Sequence, residues 1–368
     1  MTRIPTPRIL YVAYPLLMVS DDSAGGAEQV LWTLEREMAR RGALTTVAAS
    51  TGSRVSGELL STGDPCTQPD DYERRRVEHE DRVVDFVRRR AREGMAFDLV
   101  HDQSGSFWRR AAEIDSPMLA TLHLPRSFYP AGSFDMVAEN VSFNCVSASQ
   151  ARSFADLETL PGVMPNGIAL DSFAGDDGAD GRRGVGDRKR LLWLGRICEE
   201  KAPHLALEIA ACAGLPITIA GQIYPFSYHQ QYFEREVSPR LREIPDAEFV
   251  SAPPLELKRQ LLRQAKALLI TSQADETSSL VAMEAAASGA PVIALRRGAL
   301  PEVVQDGVTG FLVEDAAQAV PALQRISSLS SKACEQYAQE NFSAAKMAES
   351  YSALYEQLAC AERVLRSA

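Results

Sequence analysis

The sequence predicts an α/β protein built from two doubly wound parallel sheets. Short apolar runs bounded by glycine and proline alternate with helix-length segments along the whole chain. This alternation is typical of βαβ units, whose strands pair in parallel. The runs fall in two sets, separated by a glycine- and charge-rich stretch at 175–190 that cannot contribute to a core. A chain of 368 residues has room for two such domains.

The apolar runs place the expected strands. In the first half we expect strands at 8–14, 45–49, 98–102, 118–124, 143–147 and 163–164. In the second half we expect them at 190–194, 216–220, 247–250, 267–271, 291–294 and 310–313. The predicted division is a Rossmann-like domain over 1–172, a linker over 173–189, a second Rossmann-like domain over 190–343 and an amphipathic helix over 344–368.

Composition excludes several classes of protein. The chain is 45% hydrophobic and 24% charged with a net charge of −10, which suits a globular enzyme and argues against a nucleic-acid partner. The cysteines are scattered without a CxxC pair, so we expect free thiols and a cytoplasmic location. The apolar run at 9–19 is short and is interrupted by Pro15, so no transmembrane segment is expected.

Two glutamates in the second half suggest an elongated ligand. Glu276 follows a predicted strand, and Glu284 lies in an alanine-rich helix. Eight helical residues span roughly 12 Å, too far for two carboxylates to act as an acid/base pair on one atom. They can instead hold two parts of a hydroxyl-rich ligand such as a nucleotide sugar.

Two cations follow the first strand of the second domain. That strand ends in Gly195 and Arg196, and Lys201 lies a few residues further on. A glycine lets the chain turn close to a ligand, and the two cations can neutralise a diphosphate. An alternative remains open, a salt-bridged surface loop with Glu199 and Glu200 as the partners.

Two glycines and the start of a helix are further candidates for contacts with a phosphate-containing ligand. Ser278 and Ser279 can cap the helix that carries Glu284, whose positive end can hold a phosphate. Simple capping is the alternative. The pair Gly25 and Gly26 opens the first helix and brings bare backbone to its start. The pair is not GxGxxG, so a dinucleotide fingerprint is missing, and an ordinary turn is the alternative.

A histidine marks the end of one predicted strand. His123 ends the apolar run that starts at Met118, at the strand end where ligands bind in doubly wound sheets. It can contact a sugar through its ring or its backbone carbonyl, and a purely structural role is the alternative. No cluster of ligating residues has metal spacing, so neither a metal nor a cofactor is expected.

Taken together, these segments resemble the retaining glycosyltransferases of family 4. That family has the GT-B fold, in which two Rossmann-like domains face each other across a cleft and a C-terminal helix crosses back to the first domain. The individual motifs are weak, but their order along the chain is specific. They lie at 25–28, 121–123, 164–168, 195–196 with Lys201, 220–221, Glu276 with Glu284, 287–293, 298–304 and 306–313.

The resemblance implies roles for individual residues. Arg196 and Lys201 would bind the donor diphosphate. Glu284 would hydrogen-bond the ribose, and Glu276 the donor sugar. Gly26 would approach the phosphates from the first domain.

The resemblance also implies that His123 lies near the anomeric centre and that no metal is needed. The first domain would bind the acceptor. The implied donor-binding set further includes Gly25, Gly195, Thr277, Ser278, Ser279 and Leu280. This chain departs from the family in two places, because the family often has Glu-x-Phe-Gly-Leu at 276–280 and Lys-Gly at 201–202.

The expected reaction is transfer of a sugar from a nucleotide diphosphate-sugar donor to an acceptor hydroxyl with retained configuration. The acceptor could be a saccharide, a lipid-linked molecule or a small molecule. Same-face attack is favoured over double displacement, because no second carboxylate is suitably placed. Alternatives are a nucleotide-sugar epimerase or a sugar phosphorylase of the same fold, a NAD-dependent oxidoreductase, and a non-catalytic subunit that binds donor.

Overall fold

The chain forms two compact units, each built on one parallel sheet. The computed structural model describes residues 6–66, 68–157, 161–173 and 185–367. The first unit comprises Met1–Asn166 and Ala344–Ala368, and the second comprises Gly167–Ser343. Most of the predicted linker at 173–189 lies outside the described residues.

The first unit contains a seven-stranded sheet in the order β3-β2-β1-β4-β5-β6-β7, with every adjacent pair parallel. Its strands are β1 Arg8–Val12, β2 Leu44–Ala49, β3 Glu58–Ser61, β4 Leu99–Asp102, β5 Met118–Leu122, β6 Val141–Cys145 and β7 Gly162–Val163. Its helices before the second unit are α1 Gly26–Arg40, α2 Tyr72–Arg92 and α3 Ala148–Ser153.

The second unit contains a six-stranded parallel sheet in the order β10-β9-β8-β11-β12-β13. Its strands are β8 Leu191–Leu194, β9 Ile217–Gly221, β10 Glu248–Ser251, β11 Ala267–Ile270, β12 Val292–Leu295 and β13 Gly310–Val313. Its α-helices are α4 Pro203–Ala213, α5 Ser227–Tyr232, α6 Ser238–Glu243, α7 Leu255–Gln264, α8 Leu280–Ala287, α9 Leu300–Val303, α10 Ala316–Arg325 and α11 Ser331–Asn341.

The central strands are apolar because both faces of each sheet are covered. In β8, Leu192 and Leu194 pack on one side of the sheet, whereas Leu191 and Trp193 pack on the other. Strands buried on both faces are nearly continuous apolar runs, which is why the sequence revealed them. The predicted pair of doubly wound parallel sheets is confirmed.

One strand escaped the prediction. The β3 strand, Glu58–Ser61, lies at the edge of the first sheet and is exposed or half-buried along its length. An edge strand needs only a weak apolar pattern, so its sequence does not stand out from the surrounding loop. The β10 strand, at the edge of the other sheet, also has polar ends, but its two apolar residues are Phe249 and Val250, which favour strands more than the two leucines of β3 do.

The C-terminal helix α12, Ala344–Ser367, belongs to the first unit. Its residues Met347, Tyr351 and Tyr355 are buried. The helix packs against α1 and β4. Of the helices in the described ranges, none combines the length and apolarity needed to cross a bilayer.

A buried polar network attaches α12 to the first sheet. The Tyr355 hydroxyl lies 2.6 Å from His101 Nδ1, and His101 Nε2 lies 2.7 Å from Thr121 Oγ1. Thr121 Oγ1 donates a hydrogen bond to Asn144 Oδ1 at 2.8 Å. Asn144 Nδ2 in turn donates to the Tyr351 hydroxyl at 3.0 Å.

These contacts fix the proton positions on His101. Because Thr121 uses its only proton toward Asn144, His101 Nε2–H must donate to Thr121. Burial holds the pKa of His101 well below its usual range, so the ring is neutral. Its Nδ1 accepts a hydrogen bond from the Tyr355 hydroxyl at 2.6 Å, which is shorter than the 3.4 Å contact of that hydroxyl with the Tyr11 hydroxyl. One tautomer of His101 therefore satisfies both neighbouring hydroxyls.

Replacing Tyr355 with phenylalanine should destabilise the first unit. The change leaves His101 Nδ1 buried without a donor, which costs about 1–3 kcal/mol. Equilibrium unfolding in urea measures the loss. The control is Tyr228→Phe, at a residue that is 60% exposed, which should change stability by less than about 0.5 kcal/mol. Equal effects of the two changes would contradict the network.

Candidate functional site

The strand order of the second sheet marks its ligand-binding edge. The chain runs outward in one direction from β8 through β9 to β10, and in the other from β8 through β11 to β13. Ligands of open parallel sheets bind beyond the carboxyl ends of the strands where this direction changes. Residues 195–202 follow β8 and residues 271–279 follow β11, so both segments lie at this switch point.

Hydrogen bonds join the two segments. Thr271 Oγ1 donates to the Ala202 carbonyl at 2.8 Å, and Trp193 Nε1 donates to Thr271 Oγ1 at 3.1 Å. The Gln273 amide donates to the Glu200 carbonyl at 2.8 Å. The loop after β8 is therefore attached to the end of β11 by both backbone and side-chain groups.

Ala202 has a backbone conformation that usually favours glycine. Its φ is 48° and its ψ is 54°, in the left-handed region, and the residue is fully buried. A side chain in this region costs roughly 1–2 kcal/mol. The turn is thus left-handed although residue 202 is alanine and not the glycine that is usual in the family that the sequence resembles.

Lys201 and Glu276 form an ion pair across the two segments. Lys201 Nζ donates to both carboxylate oxygens of Glu276, at 2.6 and 2.7 Å. The Glu276 side chain is 10% exposed and that of Lys201 is 33% exposed. The sequence placed both residues in the donor site but did not predict that they pair. The Lys201 side chain thus remains partly accessible to an anionic ligand.

Arg196 has an acidic partner in its own loop. Its Nη2 donates to Glu200 Oε1 at 2.8 Å, and its guanidinium lies 5.5 Å from the centre of the Tyr224 ring. The salt-bridged loop that the sequence left open is thus present, with Glu200 as the partner. The Arg196 side chain is 35% exposed, so the pair does not remove its remaining donors from reach.

Glu284 is buried on α8 with one oxygen paired. Lys258 Nζ, from α7, donates to its Oε1 at 2.6 Å. Its Oε2 has no hydrogen-bond partner among the described residues, and the residue is 2% exposed. Burial raises the pKa of Glu284, and the nearby Lys258 opposes that rise. Lys258 was not predicted as a site residue, because it is one of several cations on an amphipathic helix.

The start of α8 differs from the prediction in one respect. Ser279 occupies the N-cap position, but its hydroxyl makes no capping hydrogen bond within the described structure. The expected side-chain capping by Ser279 is therefore wrong. Ser279 is buried, whereas Thr277, Ser278 and Leu280 are half-buried. Its φ of −148° and ψ of 92° give an extended cap, so the helix begins through backbone geometry alone.

A glycine supports the backbone of Glu276. Gly298 has a φ of +53°, and a Cβ at this position would lie 2.3 Å from the Glu276 carbonyl oxygen. The next residue, Ala299, donates its amide to that oxygen at 2.7 Å. Only a residue without a side chain fits here, so the loop after β12 helps to fix Glu276.

In the first unit, Gly25 and Gly26 begin α1 as predicted from sequence. Gly25 is the N-cap residue, and a Cβ on it would lie 1.9 Å from Glu28 Oε2. The Glu28 side chain therefore folds back over the helix start. Burial raises the pKa of Glu28 to about 7. The contact of Gly26 with donor phosphates stays a prediction.

His123 follows β5 in the first unit. Its Nε2 lies 3.0 Å from Gln103 Oε1, an acceptor, so Nε2 carries a proton. Burial lowers the pKa of His123 to about 4, which keeps the ring neutral at neutral pH. A neutral ring can donate or accept a hydrogen bond but adds no charge to its surroundings.

Three side chains near Arg196 form a cluster that was not predicted from the sequence. Cys198, Glu200 and His229 place one ligating atom each within 4.8 Å of the others. His229 lies on α5, distant in sequence from the other two, so spacing within a motif could not reveal the group. The expected absence of a metal site rested on such spacing and stays a prediction.

Solved structures share the whole architecture. Sucrose-phosphate synthase from Thermosynechococcus elongatus aligns with a TM-score of 0.77 over 96% of this chain and 100% of that chain, at 20% identity. HepE from Anabaena, in complex with UDP-glucose, aligns with a TM-score of 0.73 over 95% of this chain and 99% of that chain, at 16% identity. The protein therefore has the GT-B fold of glycosyltransferases, as the sequence predicted.

The second unit matches a family of glycosyltransferases. Residues 188–328 match the model described as Glycosyl transferases group 1. The D-inositol 3-phosphate glycosyltransferase of Geodermatophilus obscurus is 33% identical over 50% of this chain and 44% of its own length. That of Kribbella flavida is 32% identical over 46% of this chain and 45% of its own. The family match is thus confined to residues of the second unit, and the chain spans less than half the length of these curated relatives.

Substitution of Gly298 by alanine should destabilise the protein and disturb Glu276. The new methyl group meets the Glu276 carbonyl in addition to the strain of a positive φ. Gly307→Ala is the matched control, because Gly307 has a φ of +76° with open space around its Cβ. We expect Gly307→Ala to cost about 1 kcal/mol and Gly298→Ala clearly more, as measured by thermal unfolding. Equal losses would show that Gly298 is required for its backbone angle alone.

The His123 ring should remain uncharged well below neutral pH. Its folded pKa of about 4 lies below the unfolded value, so the unfolded chain binds more protons between these values. This group therefore contributes stability above about pH 6.5 that decreases as the pH falls toward 4. NMR titration of the ring, assigned with His123→Gln, measures the midpoint. A midpoint near 6.5 in the folded protein contradicts the burial of the ring.

Proposed function

We propose that the protein transfers a sugar from a nucleotide diphosphate-sugar donor to an acceptor hydroxyl, with retained anomeric configuration. The observation that carries the proposal is the Lys201–Glu276 ion pair at the β8–β11 switch point. It places a half-exposed cation and a carboxylate where an open parallel sheet binds its ligand. The match of residues 188–328 to the glycosyl transferases group 1 model supports the transferase reaction over other uses of the site.

Each end of such a donor has a suitable partner in the second unit. Arg196 and Lys201 offer donors to the diphosphate, which carries the charge that develops as the sugar leaves. Glu276 would accept hydrogen bonds from the sugar hydroxyls. The unpaired Oε2 of Glu284 is a buried acceptor, and a ribose hydroxyl would satisfy it.

The Lys201–Glu276 ion pair also favours one route to retention of the anomeric configuration. Both oxygens of Glu276 accept hydrogen bonds from Lys201, which lowers the availability of the carboxylate as a nucleophile. Double displacement requires a free carboxylate close to the anomeric carbon. We therefore favour same-face attack, in which the departing diphosphate accepts the acceptor proton. The protein then acts by positioning and by charge stabilisation.

A donor panel tests the proposal. The panel contains uridine, guanosine and adenosine diphosphate sugars, and starts from UDP-sugars because HepE was solved with UDP-glucose. A ligand at one hundred times its dissociation constant should add about 2.7 kcal/mol to stability, which thermal unfolding detects. Incubation with candidate acceptors should then give a new glycoside and free nucleoside diphosphate. An epimerised nucleotide sugar would instead indicate an epimerase, and sugar 1-phosphate a phosphorylase.

Lys201→Ala should reduce turnover by about 10²–10³-fold, because it removes a cation that neutralises the departing diphosphate. Release of nucleoside diphosphate measures the effect, with thermal unfolding to verify the fold. Lys332→Ala, at an exposed lysine on α11, is the matched control and should leave turnover unchanged. Equal turnover of the two variants would remove Lys201 from the mechanism.

A further inference from the structure

We infer that Cys198, Glu200 and His229 form a binding site for a divalent metal ion of the zinc class. Their ligating atoms, one thiol sulfur, one carboxylate oxygen and one imidazole nitrogen, lie within 4.8 Å of one another. A thiolate, an imidazole and a carboxylate are the ligands that tetrahedral zinc binds in proteins. A water molecule would complete the fourth position. The inference concerns the second unit alone and does not depend on the proposed transferase reaction.

His229 provides the observation that points to a ligand. The residue is 1% exposed, yet neither of its ring nitrogens has a hydrogen-bond partner among the described residues. Its ring lies among three aromatic rings, with centroid distances of 6.0 Å to Tyr224, 5.4 Å to Phe226 and 4.3 Å to Tyr228. A buried polar group without a partner is costly, and coordination of a metal ion would satisfy one nitrogen.

Coordination would change the protonation of Cys198 but not that of His229. Burial lowers the pKa of His229, so its ring is neutral and a nitrogen lone pair is available. Cys198 is fully buried, and burial raises the pKa of its thiol to about 11. Metal binding would therefore displace the thiol proton to solvent as the metal–sulfur bond forms. The resulting thiolate and the Glu200 carboxylate balance the two positive charges of the ion.

The geometry requires only a small adjustment. Ligand atoms in a tetrahedral zinc site lie roughly 3.5 Å apart. The present separations of up to 4.8 Å would have to contract by about 1 Å. The Glu200 side chain is 30% exposed, so it can move, although its Oε1 now accepts a hydrogen bond from Arg196. Metal binding would thus also change the surroundings of Arg196.

Cobalt(II) titration of the full chain tests the site. A Co²⁺–thiolate bond gives a charge-transfer band in the near ultraviolet, and added Zn²⁺ should displace the cobalt and abolish it. Calorimetry in two buffers of different ionisation enthalpy should show release of one proton per metal bound. Both measurements are independent of enzymatic activity.

Three variants decide the outcome. Cys198→Ser and His229→Phe should each weaken cobalt binding at least about tenfold and remove or alter the band. Phenylalanine fills the aromatic surroundings of His229, so that variant should fold even if Cys198→Ser does not. Cys212→Ser, at an exposed cysteine on α4, is the matched control and should bind like the wild type. Absence of the band in the wild type, or its full retention in either site variant, overturns the inference.

Discussion

The ion pair between Lys201 and Glu276 is the interaction on which the candidate site depends. It joins the segment after β8 to the segment after β11, and both of these strands are buried on both faces of the sheet. Burial fixes the strand ends, and the hydrogen bond from the Thr271 hydroxyl to the Ala202 carbonyl fixes the loop that carries Lys201. The charged pair therefore lies on a rigid base although its ammonium is partly exposed. Pre-organisation of this kind lets an enzyme meet developing charge without reorganising its own groups.

Three cations of the second unit each pair with one glutamate near the ligand-binding edge of the sheet. Arg196 pairs with Glu200, Lys201 with Glu276, and Lys258 with Glu284. Exposed ion pairs contribute little to stability, whereas a buried carboxylate without its cation is costly. Lys258 thus serves the fold by permitting Glu284 to be buried. Arg196 and Lys201 are more exposed, which leaves them able to exchange or share their acidic partners with an anionic ligand.

Much of the architecture could be predicted from the sequence, because central parallel strands are continuous apolar runs with sharp ends. The edge strand β3, with polar residues at Glu58 and Ser61, could not be predicted, because it lacks this pattern. The prediction also placed Arg196, Lys201 and Glu276 at a strand end correctly, because the strand ends are visible in sequence. It could not show which of these side chains pair, since pairing depends on the order of strands in the sheet.

Tertiary contacts account for the remaining differences at the site. Lys258 lies on α7, which is next to α8 in space but not in sequence. The residues around Glu284 in the sequence therefore do not predict its pairing with Lys258. The same holds for His229 beside Cys198. Ser279 shows the opposite error, because its residue type favours a capping role that its local geometry does not realise. Residue preference predicts what a side chain can do, whereas the surrounding fold decides whether it does so.

Ala202 has a consequence for the denatured chain rather than for the folded one. Glycine in the same left-handed position would leave the unfolded backbone free to sample far more φ and ψ values. Alanine narrows that ensemble, so ordering the turn removes less conformational entropy even though its native geometry is strained. This gain offsets only part of the strain of a positive φ, so the hydrogen bond from Thr271 to the Ala202 carbonyl helps to hold the turn beside Lys201.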